Sequence, residues 1–332
     1  MKVLLTGATG FIGSHLAEEL HKKGYQLRCI TRKTSDLSWI KDLPIEFVEG
    51  DYEYLPSLQK AVSGIDYLYH SAGVTKAKTK TEYFKGNHIA TKNLLQAILN
   101  GNTKLKRFIH ISSQAAVGPS LDGKPIDEQT SFHPITTYGI SKMEAERECL
   151  TLMNKIPITI VRPPAVYGPR DKDIFEFFRT INKGLQPMIG FRNTYVSLVH
   201  VKDLVQGIIL AGENEQAIGQ TYFISSEQFY NWKQIGELAA SVMNKKVLQI
   251  NVPKLIVYII AAIAELGSLF SRKPALLNIE KAKDITQDNW ICNIEKAKRE
   301  LGYRESLTLE EGIRDTVAWY RAKGWIKESR SG

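Results

Sequence analysis

Short apolar runs alternate along most of the chain with stretches whose apolar residues recur every third or fourth position. Lys2–Thr6, Gln26–Thr31, Ile45–Asp51, Tyr67–Gly73, Arg107–Ser113 and Ile158–Arg162 read as six strands. Between them, the residues after Gly13 (Leu16, Leu20), Leu58–Val62, Tyr83–Leu99 and Thr136–Leu150 have helical spacing. Strands that alternate with helices predict an α/β protein built on a doubly wound parallel sheet. The pattern continues with a helix over Phe175–Ile181, a strand-to-helix passage over Ser197–Leu204 with Asp203 as its N-cap, and a strand over Thr221–Ser225. Helical spacing then takes over, in Trp232–Met243, Pro253–Phe270 and Leu309–Lys323, with Gly302 as a helix stop. The sheet domain is expected over 1–170 and 196–228, and a smaller, helix-rich C-terminal substrate cap over 171–195 and 229–327.

The first strand runs into Thr6-Gly7-Ala8-Thr9-Gly10-Phe11-Ile12-Gly13 and then into a helix. Gly7 permits a tight turn, Gly10 lets the backbone approach a pyrophosphate, and Gly13 lets helix and strand pack closely, the arrangement of a Rossmann dinucleotide site. The second strand ends Thr31-Arg32-Lys33, where an NAD-preferring site places a carboxylate. Arg32 therefore points to NADP, with NAD as the alternative. Asp51, beside Tyr52 at the end of the third strand, either accepts from the adenine amino group or caps the next turn. Ala72 and Gly73 leave room for the dinucleotide to pass, and Pro163-Pro164 impose an extended loop that could cover the nicotinamide.

The strongest candidate chemistry follows a strand that ends in Ser112-Ser113. Tyr138 and Lys142 stand four apart on one helix face, so the ammonium is expected to lower the phenol pKa from about 10 and make Tyr138 an acid or base. Asn87 and His200 read as structural. The formal charge of +9 is spread along the chain, and no basic run is interleaved with aromatics, so the reading is an anionic cofactor rather than nucleic acid. Cys29, Cys149 and Cys292 have no metal-ligand spacing, no metal site is expected, and they read as reduced thiols in a cytoplasmic protein without a secretory signal. The apolar run Leu255–Ala264 is interrupted by Glu265, well short of the roughly 20 residues that span a bilayer, and reads as a buried or interface helix rather than a membrane contact.

Taken together, the Gly7–Gly13 turn, the serine pair, Tyr138 with Lys142, Arg162-Pro163, Val199-His200-Val201-Lys202-Asp203 and Leu301-Gly302-Tyr303 resemble the extended short-chain dehydrogenase/reductase family over nearly the whole chain. The resemblance implies a catalytic set of Ser113, Tyr138 and Lys142, with Ser113 preferred over Ser112 because it lies five residues before Gly118. Ser112 is then expected beside the cofactor with Thr9, Phe11, Ile12 and Pro163. It also implies hydride transfer between nicotinamide and a hydroxyl or carbonyl carbon of a small-molecule substrate, and a homodimer. Val196 stands where nucleotide-sugar enzymes of this family carry an arginine, and Gln114-Ala115 replace the acidic pair of the dehydratases. Lys202 and the helices at 253–270 and 309–320 look closer to the 3β-hydroxysteroid dehydrogenase and dihydroflavonol reductase branch, whose substrates are apolar or polycyclic. A nucleotide-sugar epimerase and a non-catalytic cofactor-binding regulator are the alternatives.

Overall fold

The computed structural model describes residues 1–192, 194–268, 275 and 277–326. In chain order the first half comprises β1 (Lys2–Thr6), α1 (Phe11–Lys22), β2 (Gln26–Thr31), β3 (Ile45–Glu49), α2 (Leu55–Val62), β4 (Tyr67–His70), α3 (Lys80–Phe84), α4 (Ala90–Gly101), β5 (Arg107–Ile111), α5 (Thr137–Leu152), β6 (Ile158–Arg162) and β7 (Ala165–Tyr167). The second half comprises α6 (Phe175–Asn182), β8 (Leu185–Ile189), β9 (Tyr195–His200), α7 (Val201–Glu213), β10 (Thr221–Phe223), β11 (Phe229–Asn231), α8 (Trp232–Met243), β12 (Leu248–Val252), α9 (Lys254–Ser268), α10 (Ile279–Ile285), β13 (Asn289–Trp290), α11 (Glu295–Leu301) and α12 (Leu309–Ala322).

Seven parallel strands in the order β10-β6-β5-β4-β1-β2-β3 form the central sheet. The order reverses at β1, which places the glycine turn and the ends of β4 and β5 at one crevice. Strands β5 and β6 are buried on both faces, as helices covering each side require. One core packs α1 and α7 against the sheet around Leu5, Leu16, Tyr69 and Phe223, and the other packs α2 and α4 around Leu4, Leu68, Leu94 and Phe108. A third core lies outside the central sheet around Tyr167, Val196 and Ile313, where Phe178, Tyr320, Trp319 and Trp325 meet edge-on and stacked.

Several expectations about local structure change. The 163–169 segment is not wholly an extended loop: β7 pairs in parallel with β9, which gives its backbone groups partners that the two prolines cannot supply. Strand β9 joins β7, β11 and β13 in a four-stranded sheet and lies outside the seven-stranded one. His200, not Asp203, caps α7, its Nδ1 accepting from the Lys202 amide at 3.4 Å; Asp203 instead accepts from the Ser306 amide at 2.9 Å. The segment 83–99 is two helices joined by a π turn at Lys85–Ile89. Leu269 and Phe270, at the end of the helix expected over 253–270, lie outside the described residues.

Candidate active site

The glycine turn is dictated by sterics. Gly7 has φ +71°, and a Cβ there would lie 2.6 Å from the Ala72 nitrogen. At Gly13 a Cβ would lie 2.1 Å from the Gly7 carbonyl oxygen, so α1 can approach β1 this closely only with hydrogen there. Gly10 is the N-cap of α1, with no side chain satisfying the first-turn amides and no acid in that turn. Those amides, with Thr9, Phe11 and Ile12 around them, form an electropositive cradle that fits a pyrophosphate.

Around this cradle, Arg32 is exposed directly after β2, its amide donating to Ser35 Oγ at 2.9 Å. Asp36 accepts from the Ser38 amide at 2.9 Å, and the Glu49 carboxylate, level with Thr31 on β3, lies 3.8 Å from Lys33 Nζ. The Asp51 carboxylate is engaged by its own turn, accepting from the Glu53 amide at 2.9 Å, which is the capping role. Tyr52 lies against Thr6 and His70, its phenol pushed up to about 12 by burial. Gly73 passes under Asn87, whose Oδ1 would meet an added Cβ at 3.0 Å.

At the end of β5 the serine pair divides. Ser112 donates to buried Glu146, which also holds Arg162 in a bidentate pair through Nη2 at 2.6 Å and Nε at 3.1 Å. Its hydroxyl is thus tied into a buried ion cluster. Ser113 is half-buried, its Oγ accepts from the Ala115 amide at 3.1 Å, and it hydrogen-bonds with Tyr138. Pro163 flanks it, its carbonyl accepting from the Gln114 amide at 2.8 Å.

Tyr138 and Lys142 share a face of α5, but the expected lowering of the phenol pKa is reversed. Burial raises Tyr138 to about 12, opposed by the Ser113 hydrogen bond. The same burial lowers Lys142 to about 8, against the pull of Glu146. The Lys142 ammonium donates to the Ile111 carbonyl at 2.8 Å, so its charge is anchored behind the serine strand. The site therefore holds a neutral phenol beside a cation that is easily discharged, a pairing that can give up a proton and then stabilise the phenolate.

A buried polar chain connects the two halves of this site, and sequence reasoning missed it. Thr91 donates to the Asn87 carbonyl at 2.7 Å, so His70 Nε2 donates to Thr91 Oγ1 at 2.9 Å and His70 Nδ1 accepts from Thr6 at 2.8 Å. The Ala72 amide donates to Thr6 at 3.1 Å. Asn87 Nδ2 donates to Ser141 Oγ at 2.8 Å, and Ser141 donates to the Tyr138 carbonyl at 2.7 Å. Asn87 also pairs both ways with the Val74 backbone, at 2.7 and 3.0 Å. Burial holds His70 neutral, its pKa lowered to about 3. The signals in the sequence are a histidine in an otherwise apolar strand end and the spacing of Asn87, four residues from Tyr83 and four from Thr91, both buried.

Known proteins resemble this chain over most of its length. Residues 3–225 match the NAD dependent epimerase/dehydratase family. A ceramide reductase of Caulobacter vibrioides is 27% identical over 328 residues, 98% of this chain and 96% of that protein. A UDP-glucose 4-epimerase of Vibrio cholerae is 28% identical, covering 95% of this chain and 94% of that protein. Among solved structures, that of gox2253 has a TM-score of 0.81 and 29% identity, covering 98% of this chain and 99% of its own.

Proposed function

The chain belongs to the NAD dependent epimerase/dehydratase family, and we propose that within it the protein is an NAD(P)-dependent oxidoreductase acting on a hydroxyl or carbonyl carbon of an apolar substrate. The observation that carries the reading is the Ser113–Tyr138 hydrogen bond with Lys142 anchored behind it. When bound, the nicotinamide supplies or accepts the hydride. Tyr138 delivers its proton to the substrate oxygen in the reducing direction, Ser113 donates a hydrogen bond to that oxygen, and the Lys142 ammonium stabilises the phenolate left behind. A pure regulator has no use for this proton donor.

Val196 supports an apolar substrate over a nucleotide sugar: it is buried in the cap core, where the sugar-nucleotide enzymes resembled here place a diphosphate-binding arginine. The likeness to a ceramide reductase supports the same choice; the likeness to a UDP-glucose 4-epimerase supports the other. For the cofactor, exposed Arg32 without an ion-pair partner among the described residues favours the 2′-phosphate of NADP. Cofactor fluorescence with long-chain, polycyclic and UDP-sugar candidates tests the substrate class. Turnover of the apolar ketones with NADPH is expected; tightly retained NAD and turnover of UDP-sugars alone would favour the epimerase. Arg32→Ala is expected to weaken NADPH binding about tenfold or more and leave NADH binding unchanged, and equal effects on both would remove the clamp.

A further inference from the structure

Helix α9 turns its apolar side outward. Leu255, Ile256, Ile259, Ile260, Ile263 and Leu266 are 41 to 70% exposed, whereas only Val257 and Ala261 of this helix are buried, against Ala282 of α10. At about 100° per residue, the six lie within roughly 140° of arc. The surface continues onto the small β8–β12 sheet, where Leu248 lies beside Leu185 and Ile250 beside Pro187, while Val252 and Ile189 pack beneath α9. Leu248 is 64% and Ile250 42% exposed, and Phe191, at 78%, lines a depression with Pro253 and Lys254. Such a surface is far more apolar than scattered exposed side chains require.

Its rim is basic. Lys183 and Lys246 precede the outward leucines of β8 and β12, and Arg192 follows Phe191; all three are exposed and have no ion-pair partner among the described residues. The nearby acids are engaged: Asp288 by Lys254 at 2.5 Å, Glu265 by the Ile279 amide at 3.0 Å, off the apolar arc, and Glu237 by Gln249 at 3.2 Å. No helix among the described residues is long and apolar enough to cross a membrane. An apolar helix face bordered by free cations fits the interfacial layer of a negatively charged bilayer.

We propose that the outer face of α9, extended by β8 and β12, docks the protein on an anionic lipid surface. The docked face adjoins the reaction site. Lys78, in the loop before α3, donates to the Ser268 carbonyl at the end of α9 at 3.2 Å, and Glu280 of α10 accepts from the Thr137 amide next to Tyr138. Docking would set the Tyr138 cleft beside the lipid layer; that this delivers substrate rests on the apolar-substrate reading above, whereas docking itself does not.

The test is flotation of the full chain with vesicles of phosphatidylcholine, alone or with about one part in three phosphatidylglycerol. Native protein is expected to float with the anionic vesicles and to be released by high salt. The Ile259→Glu/Ile263→Glu variant should float at least about tenfold less, with its thermal midpoint and NADPH affinity unchanged. Native protein that stays in the soluble fraction, or a variant that floats as well as native, overturns the proposal. So does a native dimer that fails to float and that the variant converts to monomer, which would assign the face to a second copy. Loss of flotation with NADPH-dependent turnover intact would leave the proposed function standing; flotation without turnover would do the reverse.

Discussion

The sheet edge at Tyr138 and the outer face of α9 treat polarity in opposite ways. At the sheet edge, Thr6, His70, Thr91, Asn87 and Ser141 are buried and hydrogen-bonded into one connected chain from the glycine turn to the Tyr138 helix. On α9, apolar side chains are exposed, with nothing over them among the described residues. Buried, fully paired polar groups fix geometry at a cost that only correct packing offsets. An uncovered apolar face adds nothing to folding and answers to something outside the molecule. The proposed function gives the first region the chemistry, and the proposed docking gives the second the placing of the molecule.

Substitutions should separate the two regions sharply. Gly13→Val drives a side chain into the Gly7 carbonyl, and denaturant unfolding is expected to show a loss of about 3 kcal/mol or more, with NADPH binding abolished in a fluorescence titration. Asn87→Ala leaves the Val74 amide and Ser141 without their partner, at an expected cost of about 1–3 kcal/mol in the same unfolding experiment. Its turnover should fall by more than its cofactor affinity does, because Ser141 bonds the carbonyl of Tyr138 itself.

The histidine in the buried chain gives this region a pH signature. His70 has its pKa lowered from 6.5 to about 3 in the fold, so between those values the unfolded chain binds more protons than the native one. This contribution to stability is complete above about pH 6.5 and is lost as pH falls through the window. Unfolding at about pH 7.5 and about pH 5 should show a smaller loss for His70→Gln than for native protein. Lys142 has the same sign at higher pH: lowered from 10.5 to about 8, it lets stability rise with pH between those values. The smallest effect is expected on α9, where Ile259→Glu should shift unfolding by no more than about 0.5 kcal/mol. A large loss there would mean that the face is covered in the native protein.

What could be read from the sequence follows from what is local. The glycine turn was legible because clashes within one strand-turn-helix unit impose it, and Tyr138 with Lys142 because a spacing of four fixes a shared helix face. The direction of the Tyr138 pKa was not legible. It depends on how much of the chain closes over α5: burial raises the phenol, and the opposing effect is the Ser113 hydrogen bond rather than the Lys142 cation. Asn87 stands four residues from buried Tyr83 and four from buried Thr91, so its face could be read, but its partners Val74 and Ser141 could not, because they come from other parts of the chain. Ser113 was preferred over Ser112 from its offset to Gly118, whereas the bond of Ser112 to Glu146 and, through it, Arg162 was not legible, because those residues are distant in sequence. Short strands β7 and β13 owe their existence to pairing with β9 and carry no pattern of their own. The apolar run in α9 was plain, but an inward and an outward apolar face look identical until the neighbours are placed.

The central claim is that Tyr138 is the proton donor of a reaction for which the glycine turn only holds the cofactor. Its most direct test is NADPH oxidation by native protein and Tyr138→Phe with an apolar ketone near pH 7, beside a fluorescence titration of NADPH on both. The account predicts unchanged NADPH affinity and turnover reduced by about 10²–10⁴-fold in the variant. Turnover within a factor of two or three of native, with cofactor bound equally well, would contradict it.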